Sequence, residues 1–273
     1  MSGLLGATEI REIASRIGVT PTKKLGQNFV VDANTCRRIV KAADVVKSDV
    51  ALEIGPGLGS LTLALLESAQ EVIALEIDSR LAEELPATAV RHELGDHLRV
   101  INRDAMELES SIGEPTVLVA NLPYNVSVPV FLRALEKLPS LQRAVVMVQS
   151  EVADRLTASP GSKSYGSPSA KAAWWGELTS AGNVSRSIFW PVPNVDSSLV
   201  RFDRKSVPGD EALRLKTFAI IDAAFAQRRK MLRKALSDIL ENPSETLEKA
   251  GIDPTLRGEA LTLKEFIEIA RNS

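Results

Sequence analysis

The stretch from Val50 to Val148 alternates short apolar runs with helical patterns, and this alternation is the feature that most constrains the fold. Strands are predicted over Val50–Ile54, Glu71–Leu75, Leu98–Asn102, Thr116–Ala120 and Ala144–Val148. Helices are predicted between them over Ser60–Glu67, Ser79–Val90 and Val128–Leu138, and Pro86 favours a break in the second of these. Alternation of this kind predicts a parallel sheet with helices on both faces.

The composition changes near residue 205, after a last predicted strand at Ser198–Phe202. From there the pattern is helical over residues 211–225, 228–240, 244–250 and 262–271. Thr262 and Glu265 form a capping box for the last helix. We therefore predict an α/β domain over residues 1–205 and a small all-helical C-terminal domain over residues 206–273.

Composition excludes several classes of protein. Cys36 is the one cysteine in the chain, so an internal disulfide and a multi-cysteine zinc site are excluded, and we predict no metal site. The first residues carry no signal-peptide pattern, and the apolar stretches are far shorter than a membrane span. A cytoplasmic protein without a membrane partner is expected.

Charge is separated along the chain, although the formal net charge is only −2. Residues 48–120 carry four basic and fourteen acidic side chains, a net of −10. Residues 201–234 carry ten basic and four acidic side chains, a net of +6, and residues 1–47 carry eight and four, a net of +4. Such segments are often only solvated surface, but the separation is compatible with a local site for a polyanion.

Asn121-Leu122-Pro123-Tyr124 follows the fourth predicted strand directly. The Asn121 side-chain oxygen and the Leu122 carbonyl, held outward by Pro123, can accept hydrogen bonds from an exocyclic amine. Tyr124 offers a stacking face for an unpaired base. These residue types indicate chemistry on a planar nitrogen base, although the tetrapeptide alone is also an ordinary strand-to-loop turn.

A glycine-rich loop, Gly55-Pro56-Gly57-Leu58-Gly59, follows the first strand and opens a helix. Its spacing is neither that of a dinucleotide fingerprint nor that of a P-loop. Glu76 ends the second strand, where a carboxylate can accept both ribose hydroxyls of a nucleoside. Asp104 follows the third strand, where it can bind an adenine amino group. Acidic groups at both places favour a nucleoside cofactor without phosphates, and S-adenosylmethionine fits that description.

These motifs resemble the family of ribosomal RNA small-subunit adenine dimethyltransferases. The resemblance covers nearly the whole chain in order and is carried by Lys24-Leu25-Gly26-Gln27-Asn28-Phe29, Glu53-Ile54-Gly55-Pro56-Gly57-Leu58-Gly59, Glu76-Ile77-Asp78, Asp104-Ala105-Met106, Asn121-Leu122-Pro123-Tyr124-Asn125, Pro191-Val192-Pro193-Asn194-Val195-Asp196-Ser197, Phe225-Ala226-Gln227-Arg228-Arg229-Lys230 and Gly251-Ile252-Asp253-Pro254. It implies a Rossmann-like, seven-stranded S-adenosylmethionine-dependent methyltransferase sheet whose last strand is antiparallel, with the helical C-terminal domain.

The implied activity is N6,N6-dimethylation of two adjacent adenosines near the 3′ end of small-subunit ribosomal RNA, and the implied partner is that RNA or an immature 30S particle. We expect a monomer.

The resemblance also assigns roles to residues. It implies S-adenosylmethionine contacts at Asn28, Val30, Gly55, Glu76, Asp104 and Asn121; the family usually has leucine where this chain has Val30. The catalytic residues it implies are Asn121, Leu122, Pro123, Tyr124 and Phe189, with the two aromatic rings enclosing the target adenine. Basic residues on the helix predicted after the domain boundary, and two beside the cofactor loop, are the candidates for RNA contacts: Lys23, Lys24, Arg228, Arg229, Lys230, Arg233 and Lys234.

Three other functions are compatible with parts of this pattern. An erythromycin-resistance type of methyltransferase, acting on large-subunit RNA, shares the catalytic motif, but Gly251-Ile252-Asp253-Pro254 favours the small-subunit enzymes. A nonenzymatic ribosome-assembly factor would use the basic residues alone, whereas the intact Gly55, Glu76 and Asn121 favour retained catalysis. The glycine spacing disfavours a nicotinamide dehydrogenase.

Overall fold

The fold is built around a mixed β-sheet with helices between its strands. The computed structural model describes residues 3–21 and 27–273, and within these residues seven strands form one sheet and two short strands form another. The strands are β1 Phe29–Val30, β2 Val50–Ile54, β3 Glu71–Glu76, β4 Leu98–Asn102, β5 Val117–Asn121, β6 Arg143–Gln149, β7 Gly176–Val184, β8 Phe189–Trp190 and β9 Ser197–Arg204. The order in the large sheet is β4-β3-β2-β5-β6-β9-β7, and β1 pairs with β8 in the small one.

Parallel pairing runs from β4 to β6, whereas β9 pairs antiparallel with β6. The central strands are buried on both faces, which explains their continuous apolar runs. The helices are α1 Ala7–Arg16, α2 Ala33–Ala42, α3 Ser60–Leu66, α4 Ser79–Arg91, α5 Ser127–Lys137, α6 Ser150–Leu156, α7 Ser167–Ala172, α8 Glu211–Ala226, α9 Leu232–Ala235, α10 Pro243–Lys249 and α11 Leu263–Arg271. The predicted fold class, including the antiparallel last strand, is confirmed.

Local sequence signals explain where several helices begin. Asp32 accepts a hydrogen bond from the amide of Thr35 and caps α2, and Thr262 with Glu265 forms the predicted capping box of α11. The expected break at Pro86 does not occur, because α4 continues through it. Leu81 and Leu85 are buried and hold this helix against the core, which offsets the missing backbone donor.

The strand order reverses between β2 and β5, which lie side by side at the centre of the sheet. The chain runs outward through β3 and β4 on one side and through β5 and β6 on the other. In open α/β sheets such a switch point leaves a crevice at the carboxyl ends of the strands. Ile54, Glu76 and Asn121 end β2, β3 and β5 at this edge, so the sequence motifs converge there.

The chain divides into two compact units, residues 1–153 with 179–204, and residues 154–178 with 205–273. The sequence-based range placed 154–178 with the first domain, whereas these residues pack with the second unit. In the second unit, Trp174 and Trp175 are buried with their rings edge-on to Phe218, at centroid distances of 6.1 and 5.4 Å. Both residues therefore belong to a core in the second unit.

The predicted helix over residues 228–240 is wrong. Only Leu232–Ala235 is helical, as α9, and residues 228–230 form a turn closed by the Lys230 amide and the Gln227 carbonyl. The amide of Leu232 donates to Leu256 and that of Arg233 donates to Pro254. These contacts take the donors that a continuous helix would use, so the chain changes direction at Met231.

Within residues 3–21 and 27–273, none of the helices combines the length and apolar character that crossing a bilayer requires.

Candidate active site

A cavity of about 300 Å³ lies at the carboxyl edge of the sheet in the first unit. The six residues to which the sequence resemblance assigns cofactor contacts all line it: Asn28, Val30, Gly55, Glu76, Asp104 and Asn121. Pro123 lines it as well. Residues that are up to 93 positions apart in the sequence are thus brought to one enclosed space, because the strands that carry most of them end at the same edge.

The glycine-rich loop forms one wall of the cavity and needs glycine for two reasons. Gly55, Gly57 and Gly59 have φ values of 71°, 57° and 99°, in the left-handed region that other residues rarely adopt. A Cβ atom on Gly57 would also lie 2.8 Å from Cε1 of Phe29. The loop can therefore stay close to Phe29 and to a ligand only with glycine at this position.

Glu76 ties that loop to the end of β3. Its Oε2 accepts a hydrogen bond from the Gly57 amide at 3.1 Å, and its Oε1 accepts one from the Asp78 amide at 2.9 Å. Burial raises the pKa of Glu76, and these backbone donors act in the opposite direction by favouring the carboxylate. A carboxylate with both oxygens engaged is fixed in orientation, while its remaining lone pairs can still accept from a diol.

Asp104 lines the cavity directly after β4. It caps the short turn after β4, where its Oδ1 accepts a hydrogen bond from the Met106 amide at 2.8 Å. Ala105 and Met106, which follow it in the chain, also line the cavity. A carboxylate beside these apolar side chains suits a flat purine ring that carries an exocyclic amine.

The Asn121 side chain has a defined orientation. Its Nδ2 donates to the backbone carbonyl of Asn28 at 3.2 Å. A carbonyl can only accept, so the amide nitrogen must face Asn28, and no described residue donates to the Asn121 Oδ1. The structure therefore leaves this oxygen without a hydrogen bond from any described residue, on a side chain of a residue that lines the cavity.

The other residues with a predicted catalytic role lie outside the cavity lining. Leu122 is buried, and its amide donates to the Met147 carbonyl at 3.1 Å. Tyr124 is half-buried with its hydroxyl 3.0 Å from the Ser197 Oγ, and burial raises its pKa. Phe189 is buried in β8, where it pairs with Val30 of β1. Both aromatic residues are thus neighbours of cavity-lining residues but do not line the cavity themselves.

The candidate RNA contacts differ in their surroundings. Lys23 and Lys24 lie outside the described residues. In the second unit, Arg228 is paired with Glu259 at 2.8 Å and donates to the Lys163 carbonyl, so it has a structural role. The remaining four cations are exposed and form no ion pair with any described residue: Arg229, Lys230, Arg233 and Lys234. They lie on the turn and on α9, not on one long helix.

Sequence reasoning missed several residues of the cavity. Ser60 donates to the Val30 carbonyl at 2.6 Å and so joins α3 to β1. Arg103 and Asn125 also line the cavity. Ser60 is the first residue of the helix after the glycine loop, and Arg103 directly precedes Asp104. Their closeness in sequence to these motifs is the signal by which they could have been predicted as cavity residues. A two-residue strand such as β1 has no periodicity that sequence reasoning could detect.

Glu53 lies beneath the loop, fully buried on β2, and the described residues offer no hydrogen-bond partner for its Oε2 or for the nearby Thr62 Oγ1. Burial, with a smaller effect of the Glu76 charge, raises the pKa of Glu53 to about 8. The carboxyl therefore keeps its proton to a higher pH than an exposed glutamate does. Cys36 is also buried, and burial raises the pKa of its thiol to about 12, so it acts as an apolar packing residue.

This burial predicts a pH dependence of stability. Between the ordinary glutamate pKa and about 8, the folded protein holds a proton on Glu53 that the unfolded chain releases. The free energy of unfolding should therefore fall as pH rises through this window, by at most about 1.4 kcal/mol per pH unit. Urea unfolding of Glu53→Gln between pH 5 and 8 should show a flatter dependence than that of the wild type. The exposed control Glu83→Gln should retain the wild-type slope, and an unchanged slope in Glu53→Gln would contradict the assignment.

Comparisons with known proteins agree with the geometry. The family model described as ribosomal RNA adenine dimethylase matches residues 19–272. The chain is 56% identical to the ribosomal RNA small subunit methyltransferase A of Leifsonia xyli subsp. xyli, covering 98% of both chains. It is 57% identical to the protein of that name from Rhodococcus erythropolis, covering 98% of this chain and 93% of the relative.

Solved structures show the same fold. A dimethyladenosine transferase from Plasmodium falciparum superposes with a TM-score of 0.76 at 25% identity, over 88% of this chain and 95% of the other. The 23S rRNA methyltransferase ErmE gives a TM-score of 0.68 at 24% identity, over 90% of this chain and 99% of the other, and supports the fold alone. The fold and the site define a Rossmann-like methyltransferase. The chain belongs to the ribosomal RNA adenine dimethylase family, as the sequence motifs predicted.

Proposed function

We propose that the protein uses S-adenosylmethionine to dimethylate N6 of two adjacent adenosines near the 3′ end of small-subunit ribosomal RNA, late in small-subunit biogenesis. The observation that carries this proposal is the Asn121 amide. Its nitrogen is anchored to Asn28, its oxygen accepts from no described residue, and Asn121 lines the same cavity as Glu76 and Asp104. The names of the relatives at 56% and 57% identity support the small subunit as the target.

The cavity residues fit the methyl donor by their chemistry. In this proposal Glu76 accepts the ribose hydroxyls, Asp104 accepts from the adenine amine, and the glycine loop approaches the donor with its backbone; all of them line the one cavity. When bound, S-adenosylmethionine supplies an electrophilic methyl group on a cationic sulfur. The protein itself supplies binding, orientation and exclusion of water from this enclosed space.

Asn121 and Leu122 act on the target base. The N6 lone pair of adenine is delocalised into the ring, which makes the amine a weak nucleophile. The Asn121 Oδ1 and the Leu122 carbonyl accept hydrogen bonds from the two N6 hydrogens and favour a tetrahedral nitrogen, whose lone pair then points toward the donor. Each methylation releases one N6 proton to solvent, so the monomethylated amine keeps one of these two hydrogen bonds for the second transfer. Tyr124 and Phe189 are proposed to stack on the two faces of the adenine after it leaves its RNA stack. Catalysis by positioning in this way needs no covalent enzyme intermediate.

Two readings compete with this proposal. Methylation of large-subunit RNA would use the same cavity, and a nonenzymatic assembly role would use the exposed cations without it. The decisive experiment is transfer of labelled methyl groups to purified small and large subunits that lack the modification, followed by nucleoside analysis. We expect N6,N6-dimethyladenosine in small-subunit RNA. Label in large-subunit RNA would support the first alternative, and no transfer to either subunit would support the second.

The exposed cations of the second unit should bind RNA phosphates. Replacing Arg229, Lys230 and Lys234 together with alanine should weaken RNA binding about 10- to 100-fold at low salt and reduce the magnitude of the salt slope by about 2 to 3. Binding titrations over a series of salt concentrations measure both quantities. Lys249→Ala removes an exposed cation that is already paired with Glu245 at 2.7 Å, and it should leave the slope unchanged. An unchanged salt slope in the triple variant would show that these three side chains do not contact RNA phosphates.

The partner is proposed to be this RNA, free or within an immature 30S particle, with the protein acting as a monomer in the cytoplasm where ribosomes assemble. Rates measured on free RNA and on particles would separate the two forms of substrate.

A further inference from the structure

The loop formed by residues 191–195, here called the valine loop, exposes apolar side chains close together. Val192 is 59% exposed and Val195 is 45% exposed, and Pro191 beside them is also exposed. An isolated exposed valine, such as Val46 at 51%, is common and needs no explanation. Three exposed apolar residues within one short loop indicate a surface that is covered when the protein acts.

The two ends of the valine loop lead to the two aromatic residues proposed to hold the target base. Phe189 lies two residues before the loop, in β8. Ser197 lies two residues after it, at the start of β9, and its Oγ is 3.0 Å from the Tyr124 hydroxyl. The loop therefore connects β8, which carries one of the proposed stacking rings, with the β9 residue that hydrogen-bonds to the other.

Hydrogen bonds hold the base of the loop in place. The Arg186 amide donates to Oδ1 of Asp196 at 3.2 Å, and the Arg186 Nη1 donates to the Asn194 carbonyl at 3.3 Å. The Asp196 carbonyl accepts from the Ser150 amide at 3.1 Å. Pro193 is buried, and the rings of two prolines restrict the backbone. The exposed valines therefore project from a braced loop, with the Asp196 carboxylate bonded to the Arg186 amide.

We propose that the valine loop is an apolar wedge that enters the base stack of the RNA substrate and fills the space left by the flipped adenosine. The inference rests on the proposed function, because an adenine that is methylated in an enclosed pocket must first leave its stack. Apolar side chains, proline among them, insert between bases in other nucleic-acid complexes and offset part of the cost of unstacking. Base faces are apolar and uncharged, which matches the surface that Pro191, Val192 and Val195 present. Arg186 adds a cation at the base of the loop, where the phosphate backbone would pass.

The test compares the wild type with the double variant V192A/V195A on two RNAs. The first RNA has its target adenosine in a normal stack, and the second has abasic sites on both sides of the target, so that no stack must be broken. Methyl transfer by the variant should fall about tenfold on the stacked RNA and remain within about twofold of wild type on the abasic RNA. With 2-aminopurine at the target position, the fluorescence increase that reports unstacking should be at least about threefold smaller for the variant.

Controls separate a local effect from loss of the fold. Val46→Ala, at a similarly exposed valine, should behave as wild type in both assays. Melting temperature and S-adenosylmethionine affinity should be unchanged in the double variant; if it does not fold, Val192→Ala alone replaces it. Equal activity losses on both RNAs, or an unchanged 2-aminopurine signal, would overturn the wedge. Failure of the wild type to methylate both the stacked RNA and small subunits that lack the modification would instead overturn the proposed function.

Discussion

Replacing Asn121 with alanine is expected to reduce the rate of methyl transfer about 10²- to 10³-fold, while affinity for S-adenosylmethionine changes less than about tenfold. The physical reason is the fixed amide, whose nitrogen is bonded to the Asn28 carbonyl and whose oxygen is left to accept an N6 hydrogen. An acceptor that helps only when the nitrogen becomes tetrahedral stabilises the transition state more than the bound substrates. Single-turnover rates and calorimetric titration with the donor measure the two quantities separately.

Two further variants sharpen this prediction. Asn121→Asp keeps an acceptor but places a carboxylate oxygen against the Asn28 carbonyl, so the anchor becomes repulsive and the loss of rate should remain large. Asn125→Ala changes another amide that lines the same cavity and should have a far smaller effect. If Asn121→Ala turns over at the wild-type rate, the Asn121 side-chain amide does not have the catalytic role proposed for it.

Glu76→Gln is expected to weaken S-adenosylmethionine binding about 100-fold, which corresponds to about 2.7 kcal/mol. Both carboxylate oxygens accept a backbone N–H, one from Gly57 and one from Asp78. An amide in either orientation must turn its NH₂ group toward one of these donors, so one buried hydrogen bond is lost and the glycine loop is displaced. The same change also alters the proposed acceptor for the ribose hydroxyls.

The matched control is Glu71→Gln on the same strand, where the side chain is exposed and pairs with Arg99 at 3.2 Å. Its donor affinity should equal that of wild type. Melting curves of both variants should accompany the calorimetry, to show that Glu76→Gln is folded. The effect of Glu76→Gln is expected mainly on donor affinity. If Glu76→Gln binds the donor as tightly as the wild type, then the carboxylate does not organise this end of the cavity.

The large sheet could be predicted from sequence because its central strands are buried on both faces and separated by helices. Each predicted strand from Val50 to Phe202 is present with its ends within about two residues. The site was also accessible to sequence reasoning, because each motif follows a strand and the carboxyl ends of parallel strands meet at one edge. The resemblance then predicted a methyl-donor site in preference to other nucleoside sites.

Other elements had no local signal. β7 runs from Gly176 to Val184, but only these two end residues are buried, so the strand lacks the apolar alternation that identifies a sheet. β1 and β8 have two residues each and form by pairing across 160 positions of sequence. The turn at residues 228–230 replaces a predicted helix because distant carbonyls, at Pro254 and Leu256, bind the amides that follow it. Contacts distant in sequence decided all three outcomes.

The most direct test of the central claim is a crystal structure of the protein with S-adenosylhomocysteine and an RNA that contains the target adenosine. We predict that the adenine N6 lies about 3 Å from both the Asn121 Oδ1 and the Leu122 carbonyl oxygen. The donor sulfur should lie about 4 Å from N6 on the opposite side, in line for transfer. An adenine bound with N6 away from Asn121, or a donor bound outside the cavity lined by Glu76 and Asp104, would contradict the account.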